Sequence, residues 1–215
     1  VTALVSSVYG GYDHVHDLPD DHGFDDAVLV TDRPTAARGW RVLVLPSGLH
    51  PRRAAKAAKC RPWWFTEEPA SLWLDGAFEV GPGLRQAVDE HLADADLVAW
   101  AHPSGRTDAY QEARFCFDIP KYRGEPLAGQ IAAYEQAGLP RGSGLWEVGM
   151  LARRHTPAIR GHGHRWAAEI ERWSIQDQVS FPYACWALGV PVSTWRSGSR
   201  WACGWVRWHP HRDET

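Results

Sequence analysis

The sequence predicts one α/β domain with a central, mostly parallel sheet flanked by helices. Three observations predict it. Short apolar runs rich in Val, Leu and Trp alternate with stretches of helical pattern. Turn signals built from Gly, Pro and Asp close most of these runs. No internal repeat, low-complexity segment or linker divides the chain, and 215 residues suit one domain whose core needs no disulfide or metal.

The elements follow in order. Residues 2–8 read as a buried strand ended by the turn Tyr9, Gly10, Gly11, Tyr12, Asp13. Residues 26–31 and 40–45 are the next strands, the latter stopped by Pro46 and Gly48. Residues 51–60 (PRRAAKAAKC) predict a short helix with Pro in its first turn. Residues 71–74 (SLWL) form a strand running into Asp75 and Gly76. A helix over 82–93 carries Leu84, Val88 and Leu92 on one stripe, and a strand over 96–101 ends at His102 and Pro103. Helices are expected over 108–116, 126–137, 165–173 and 177–188, with a strand over 147–153. The tail from Arg196 has no clear period. In open α/β sheets ligands bind beyond the carboxyl ends of strands, which singles out residues 10–13, 31–32 and 75–76.

Composition narrows the function. The net charge of −3 argues against a protein that coats nucleic acid. The charge is divided, however: residues 1–140 carry 13 basic and 20 acidic side chains and residues 141–215 carry 10 and 6. Eight of the 13 Trp also fall in the last 70 residues. Cys60, Cys116, Cys185 and Cys203 are widely spaced with no C-x-x-C pair, the pattern of reduced, buried thiols. The opening residues show no positively charged segment followed by an apolar run, and no apolar run approaches the ~18 residues that span a bilayer. A soluble, cytoplasmic protein is expected.

Asp75, at the exit of an apolar strand and followed by Gly76, either holds a divalent cation with phosphates close to the backbone or caps the strand end. Asp32 either accepts from a base or ribose or starts the turn into Pro34. Arg52, Lys56 and Lys59 share a helix face suited to a diphosphate, or to solvent. The pairs His14/His16, His162/His164 and His209/His211 read as lying in Gly-, Pro- and Asp-rich loops with no third ligand at an evident spacing, against a zinc hydrolase. No G-x-S-x-G elbow, P-loop, H-E-x-x-H or dinucleotide fingerprint occurs. Asp177 either begins a helix as its cap or takes part in chemistry. Trp166, Trp173 and Trp186 read as core, and the tail Trp residues as platforms for a sugar or base.

The succession V-Y-G-G-Y-D, V-T-D-R-P, G-W-R-V, R-R-A-A-K-A-A-K, S-L-W-L-D-G, A-H-P-S-G-R-T-D-A-Y-Q-E-A, Q-I-A-A-Y-E-Q-A-G-L-P and S-I-Q-D-Q-V-S-F resembles one family over about residues 2–188. This is the glycosyltransferase-like domain family of plant cell-wall and mucilage proteins, with bacterial and phage members. W-L-D-G and D-Q-x-S-F are its most specific parts.

The resemblance implies a single GT-A-like (Rossmann-like) domain over residues 1–215, with donor-site motifs in 2–125 and the acceptor side and tail in 126–215. It implies a transferase that moves a hexose from a nucleotide-diphosphate sugar, a UDP-sugar foremost, to a hydroxyl acceptor, with retention at the anomeric carbon preferred. Tyr9, Gly10, Gly11, Tyr12, Thr31, Asp32, Lys56, Lys59, Trp73, Asp75 and Gly76 would bind the nucleotide sugar. Asp75 and Asp177 would be catalytic. A D-x-D metal site for Mn²⁺ or Mg²⁺ would use Asp75; Ala77 replaces its second carboxylate, and His209 would complete it. His102, Arg106 and Glu112 match the H-P-x-x-R…E-A segment and, with Arg154, Trp166 and Gln178, make up the expected acceptor side. The acceptor is a saccharide or, as the alternative suited to the basic end, hydroxymethylated bases of phage DNA. A non-catalytic carbohydrate- or nucleotide-binding module is the second alternative.

Overall fold

The computed structural model describes residues 1–197, 199, 201 and 203–211. In chain order come strands β1 (Ala3–Val8), β2 (Asp26–Thr31) and β3 (Arg41–Val44), helix α1 (Pro51–Cys60), strands β4 (Ala70–Leu74) and β5 (Phe78–Val80), helix α2 (Leu84–Leu92) and strand β6 (Leu97–Ala101). Helices α3 (Ala109–Cys116) and α4 (Leu127–Gln136), strand β7 (Trp146–Arg154), helices α5 (Pro157–Arg172) and α6 (Asp177–Leu188), and strands β8 (Ser193–Thr194) and β9 (Val206–Trp208) follow. No helix among the described residues is long and apolar enough to cross a membrane.

Seven strands form one sheet in the order β3-β2-β1-β4-β7-β6-β8. It is the mostly parallel sheet the sequence predicts, with β7 running antiparallel to both β4 and β6. Side chains alternate between two cores because the strand period is two. Val5, Val28, Trp73 and Leu151 face a core closed by α1, α5 and α6. Leu4, Leu72, Leu74 and Met150 face another, closed by α2 and by Trp100 and Trp195. The chain builds β1, β2 and β3 outward in one direction, then returns through α1 to lay β4 on the other side of β1. The reversal opens a crevice at the carboxyl ends of β1 and β4, where such folds place ligands.

Three expectations need correction. Helix α5 starts at Pro157, eight residues before the expected 165, behind the cap Thr156. His162 and His164 are therefore helical, not in a loop. Gly161 and Gly163 disguised the helical pattern, and a Cβ at Gly163 would strike the Cys60 carbonyl and the Trp63 ring, so the glycine is what lets α5 lie close to α1. The tail is not without structure: β9 pairs antiparallel with β5, a ribbon of residues about 130 apart that no local pattern announces. Finally, Trp195 and Trp205 pack into the second core, whereas Trp186, expected inside, is 38% exposed.

Arg153, on β7, is fully buried, and none of its guanidinium nitrogens finds a hydrogen-bond partner among the described residues. Burial and the Arg153 charge push the neighbouring His155 down to about 4 and His162 to about 3, so both stay neutral. Burial likewise pushes the Cys60 thiol up to about 12 and keeps it uncharged. Among the described residues no carboxylate offsets the cost of burying this cation. Arg153→Met is accordingly expected to raise the unfolding free energy by at least about 1 kcal/mol in denaturant titrations at pH 7. A lower denaturation midpoint would contradict this account of the core.

Candidate active site

A cavity of about 400 Å³ opens at the carboxyl ends of β1 and β4. Its wall on one side is the turn after β1, with Tyr9, Tyr12 and Asp13; Asp75 and Gly76 extend β4 into its floor. Helix α1 contributes Arg52, Lys56 and Lys59, and the first turn of α6 contributes Asp177 and Gln178. Helix α1 lies tight on β1 because Ala54 and Ala58 face inward, and Ser7 Oγ donates to the Ala55 carbonyl at 3.0 Å. The basic face is thereby held over the strand ends.

Four charged groups form the floor. Lys59 is 1% exposed, and its Nζ stands 2.7 Å from Asp177 Oδ2 and 3.0 Å from Asp75 Oδ1. Lys56 Nζ donates to the same Asp177 oxygen at 2.7 Å. Burial alone would push the Asp177 carboxyl up; the Lys56 and Lys59 ammonium groups outweigh it and hold it well below the usual carboxylate range. Burial would likewise push Lys59 down, and Asp177 and Asp75 instead hold it above the ordinary lysine value. Two indoles brace the floor: Trp73 Nε1 donates to the carboxylate oxygen Asp75 Oδ1 at 2.7 Å, and Trp166 Nε1 donates to the Asp177 backbone carbonyl at 3.0 Å, fixing the start of α6. Asp177 is the first residue of α6, where the helix dipole also favours its charge, and its side chain turns to the lysines instead of capping the helix.

The other expected residues fall in several places. Tyr9, Tyr12, Lys56, Lys59, Trp73, Asp75, Gly76, Asp177 and Gln178 line the one cavity. Gly10 and Gly11, at φ of 65° and 70°, make the turn, and the Gly10 N–H donates to Asp32 at 2.8 Å. Asp32 thus ties the ends of β1 and β2 together. Thr31 is buried and donates to the Arg33 carbonyl at 2.6 Å, so it braces a turn and does not line the cavity. Gly76 has a packing reason: a Cβ there would come within 2.8 Å of Asp13 Cβ and 2.9 Å of Val8 Cγ2.

On the expected acceptor side, Arg106 Nε donates to Glu112 Oε2 at 2.6 Å, with His102 Nε2 3.9 Å from the same oxygen. Gln176 connects this trio to the cavity by donating to Glu112 Oε1 at 2.8 Å. Trp166 is fully buried behind Asp177 and is a support, not a surface for an acceptor. Arg154 stands at the far end of β7, donating to the Leu92 carbonyl at 2.7 Å, remote from the cavity.

The Asp75–His209 metal pair is also corrected. His209 Nε2 faces Glu79 Oε2 at 3.0 Å, and no His, Cys, Asp or Glu cluster of metal-binding geometry includes Asp75 among the described residues. Asp75 Oδ1 already accepts from an ammonium and an indole, which leaves a Mn²⁺ or Mg²⁺ ion the other oxygen of this one carboxylate, beside a lysine cation that repels it.

Several cavity residues carry no signal in the sequence that places them at the cavity: Lys121 and Tyr122 from a 3₁₀ turn (Pro120–Tyr122) before α4, Glu147 from β7, Gln176, and Trp208 and His211 from the tail. Glu147 was hidden by strand direction. An antiparallel strand brings its amino end to the carboxyl edge of its neighbours, a possibility outside the strand-end rule.

The floor makes stability depend on pH in a stated direction. The depressed Asp177 pKa contributes stability present above an unfolded aspartate value of about 3.9 and lost as pH falls. The raised Lys59 pKa contributes stability present below about 10.4 and lost as pH rises. Denaturation midpoints should form a plateau between these limits, and Asp177→Asn should flatten the acid limb. Lys59→Met, which leaves a buried carboxylate short of a partner, is expected to cost about 3–5 kcal/mol in urea unfolding; a cost near zero would show that the cluster is not desolvated.

Over residues 27–196 the chain matches the TOD1/MUCI70, glycosyltransferase-like domain family. It is 27% identical over 158 residues to the Arabidopsis thaliana protein named "Probable hexosyltransferase MUCI70", covering 66% of this chain. The chain spans only 26% of the length of that relative. Among solved structures it is similar to the WbbM bifunctional glycosyltransferase in its apo form, with a TM-score of 0.53 and 10% identity, over 90% of this chain and 38% of that one. At such identity the likeness is one of fold, and it agrees with the GT-A-like α/β architecture the sequence implied. With the family match covering most of its length, the chain belongs to the TOD1/MUCI70 glycosyltransferase-like domain family.

Proposed function

We propose that the cavity binds a nucleotide-diphosphate sugar, a UDP-sugar foremost, and that the chain transfers its hexose to a hydroxyl acceptor, a saccharide. The observation that carries this reading is the pair of lysines held over the strand ends by Asp75 and Asp177 in a cavity large enough for a nucleotide. Family membership and the glycosyltransferase fold support it.

The chemistry divides among the residues. The bond from the anomeric carbon to phosphate breaks, leaving its electron pair on the diphosphate, while the acceptor oxygen bonds to that carbon and passes its proton to the departing phosphate oxygen. Lys56, whose side chain is 20% exposed, is the cation placed to meet the diphosphate, with Arg52 beside it on α1. Lys59, buried, holds the carboxylates in place. A carboxylate kept far below its usual range is a weak base, so Asp177 acts as a fixed negative charge toward the electron-poor anomeric carbon. Retention at that carbon is proposed on the family resemblance. The lysines, not Mn²⁺ or Mg²⁺ at Asp75, provide the positive charge for the leaving group.

Calorimetric titration with UDP tests the donor site. Lys56→Gln is expected to weaken binding roughly tenfold or more, the loss of one charge-assisted hydrogen bond of about 1.5–3 kcal/mol. Release of free nucleotide from UDP-sugars should be the same with and without added Mn²⁺ or Mg²⁺. Unchanged affinity in the variant, or turnover strictly dependent on either metal, would overturn these assignments; binding without turnover would favour the non-catalytic module.

A further inference from the structure

The tail brings together a second set of polar side chains that the donor site does not use. His16, in the loop after β1, Glu79, on β5, and His209, directly after β9, place their ligand atoms within 4.8 Å of one another. We propose that these three residues form a binding site for a divalent transition-metal ion of the zinc type, separate from the donor cavity and fastening the β5–β9 ribbon to the β1 loop.

The donor set carries the choice of ion. Two imidazoles and one carboxylate suit Zn²⁺ with a water in the fourth position, whereas Mg²⁺ and Ca²⁺ favour oxygen ligands. His209 Nε2 and Glu79 Oε2, 3.0 Å apart, already stand at a separation one tetrahedral ion can bridge. The His16 and His209 rings lie with centroids 4.4 Å apart, and His16 Nε2 is buried without a hydrogen-bond partner among the described residues. That nitrogen is an acceptor or donor with nothing to meet, the situation a metal ligand shows before its ion arrives. The exposed Arg207, 3.9 Å from Glu79, is the cation that would give way.

The backbones are pinned before any ion binds. Trp40 Nε1 donates to the His16 carbonyl at 2.9 Å, and the His209 N–H donates to the Ala77 carbonyl at 2.7 Å. Glu79 and His209 occupy the same face of the ribbon, as diagonal neighbours in the register that pairs Glu79 with Arg207. The three ligands come from segments far apart in sequence, so an ion here cross-links the first loop to the tail. Trp208 and His211, on either side of His209, line the donor cavity, and His211 bonds to Asp13. The cross-link therefore lies beside the cavity mouth.

The test is calorimetric titration of chelator-stripped protein with ZnCl₂, checked by circular dichroism so that each variant is known to be folded. Wild type should bind one equivalent. His16→Ala and the near-isosteric Glu79→Gln should each weaken binding at least about tenfold, since losing even an outer-shell partner costs a metal site that much. Asp75→Asn should leave zinc affinity unchanged, which separates this site from the donor site whether or not the donor reading holds. No zinc binding by wild type, equal binding by His16→Ala and Glu79→Gln, or a loss confined to Asp75→Asn would overturn the proposal.

Discussion

The contact on which the site depends is the buried ammonium of Lys59, held between Asp177 and Asp75 at 2.7 and 3.0 Å. Lys59 and Asp177 are both buried, so removing either strands the other where water cannot solvate it. The cluster is stable only because its charges balance: Lys56 and Lys59 against Asp75 and Asp177. Balance has a second consequence. Lys56 shares Asp177 with Lys59, so one lysine can turn toward a diphosphate while the other keeps the carboxylate paired. A fixed, desolvated arrangement of this kind can stabilise charge developing in a reaction without reorganising.

The fold assembles that contact from three directions. Asp75 arrives at the end of β4, Lys59 on the helix that crosses from β3 to β4, and Asp177 at the start of α6. They meet because the sheet reverses its strand order between β1 and β4. The supports are large and specific. Trp73 and Trp166 fill the core behind the site while their indole N–H groups reach its polar atoms. The abundance of Trp thus serves two ends, packing around the sheet and holding the floor of the cavity, and of the three tail Trp residues only Trp208 lines the cavity.

Much of this is legible in the sequence. The apolar runs locate the principal strands to within one or two residues, and the helical spacing of Arg52, Lys56 and Lys59 foretells a shared face that all three keep at the cavity. The strand-end rule points to Asp75. What it leaves out has physical reasons. Neither Asp177 nor Glu147 follows a parallel strand, so their meeting with Asp75 is a matter of tertiary packing. The Lys59 contacts join residues 16 and 118 positions apart, and no local pattern encodes them. His209 offered a plausible ligand for Asp75, but the pairing of β9 with β5 turns it toward Glu79. Gly161 and Gly163 lower helix propensity, and only the packing of α5 on α1 shows why Gly163 is there.

The central claim is that the lysines over the strand ends receive the diphosphate of the donor. A crystal structure of the complex with UDP tests it most directly. The account predicts a phosphate oxygen within hydrogen-bond distance of Lys56 Nζ, about 2.7–3.2 Å, at the carboxyl ends of β1 and β4. A diphosphate bound elsewhere, with Lys56 still paired only to Asp177, would contradict it.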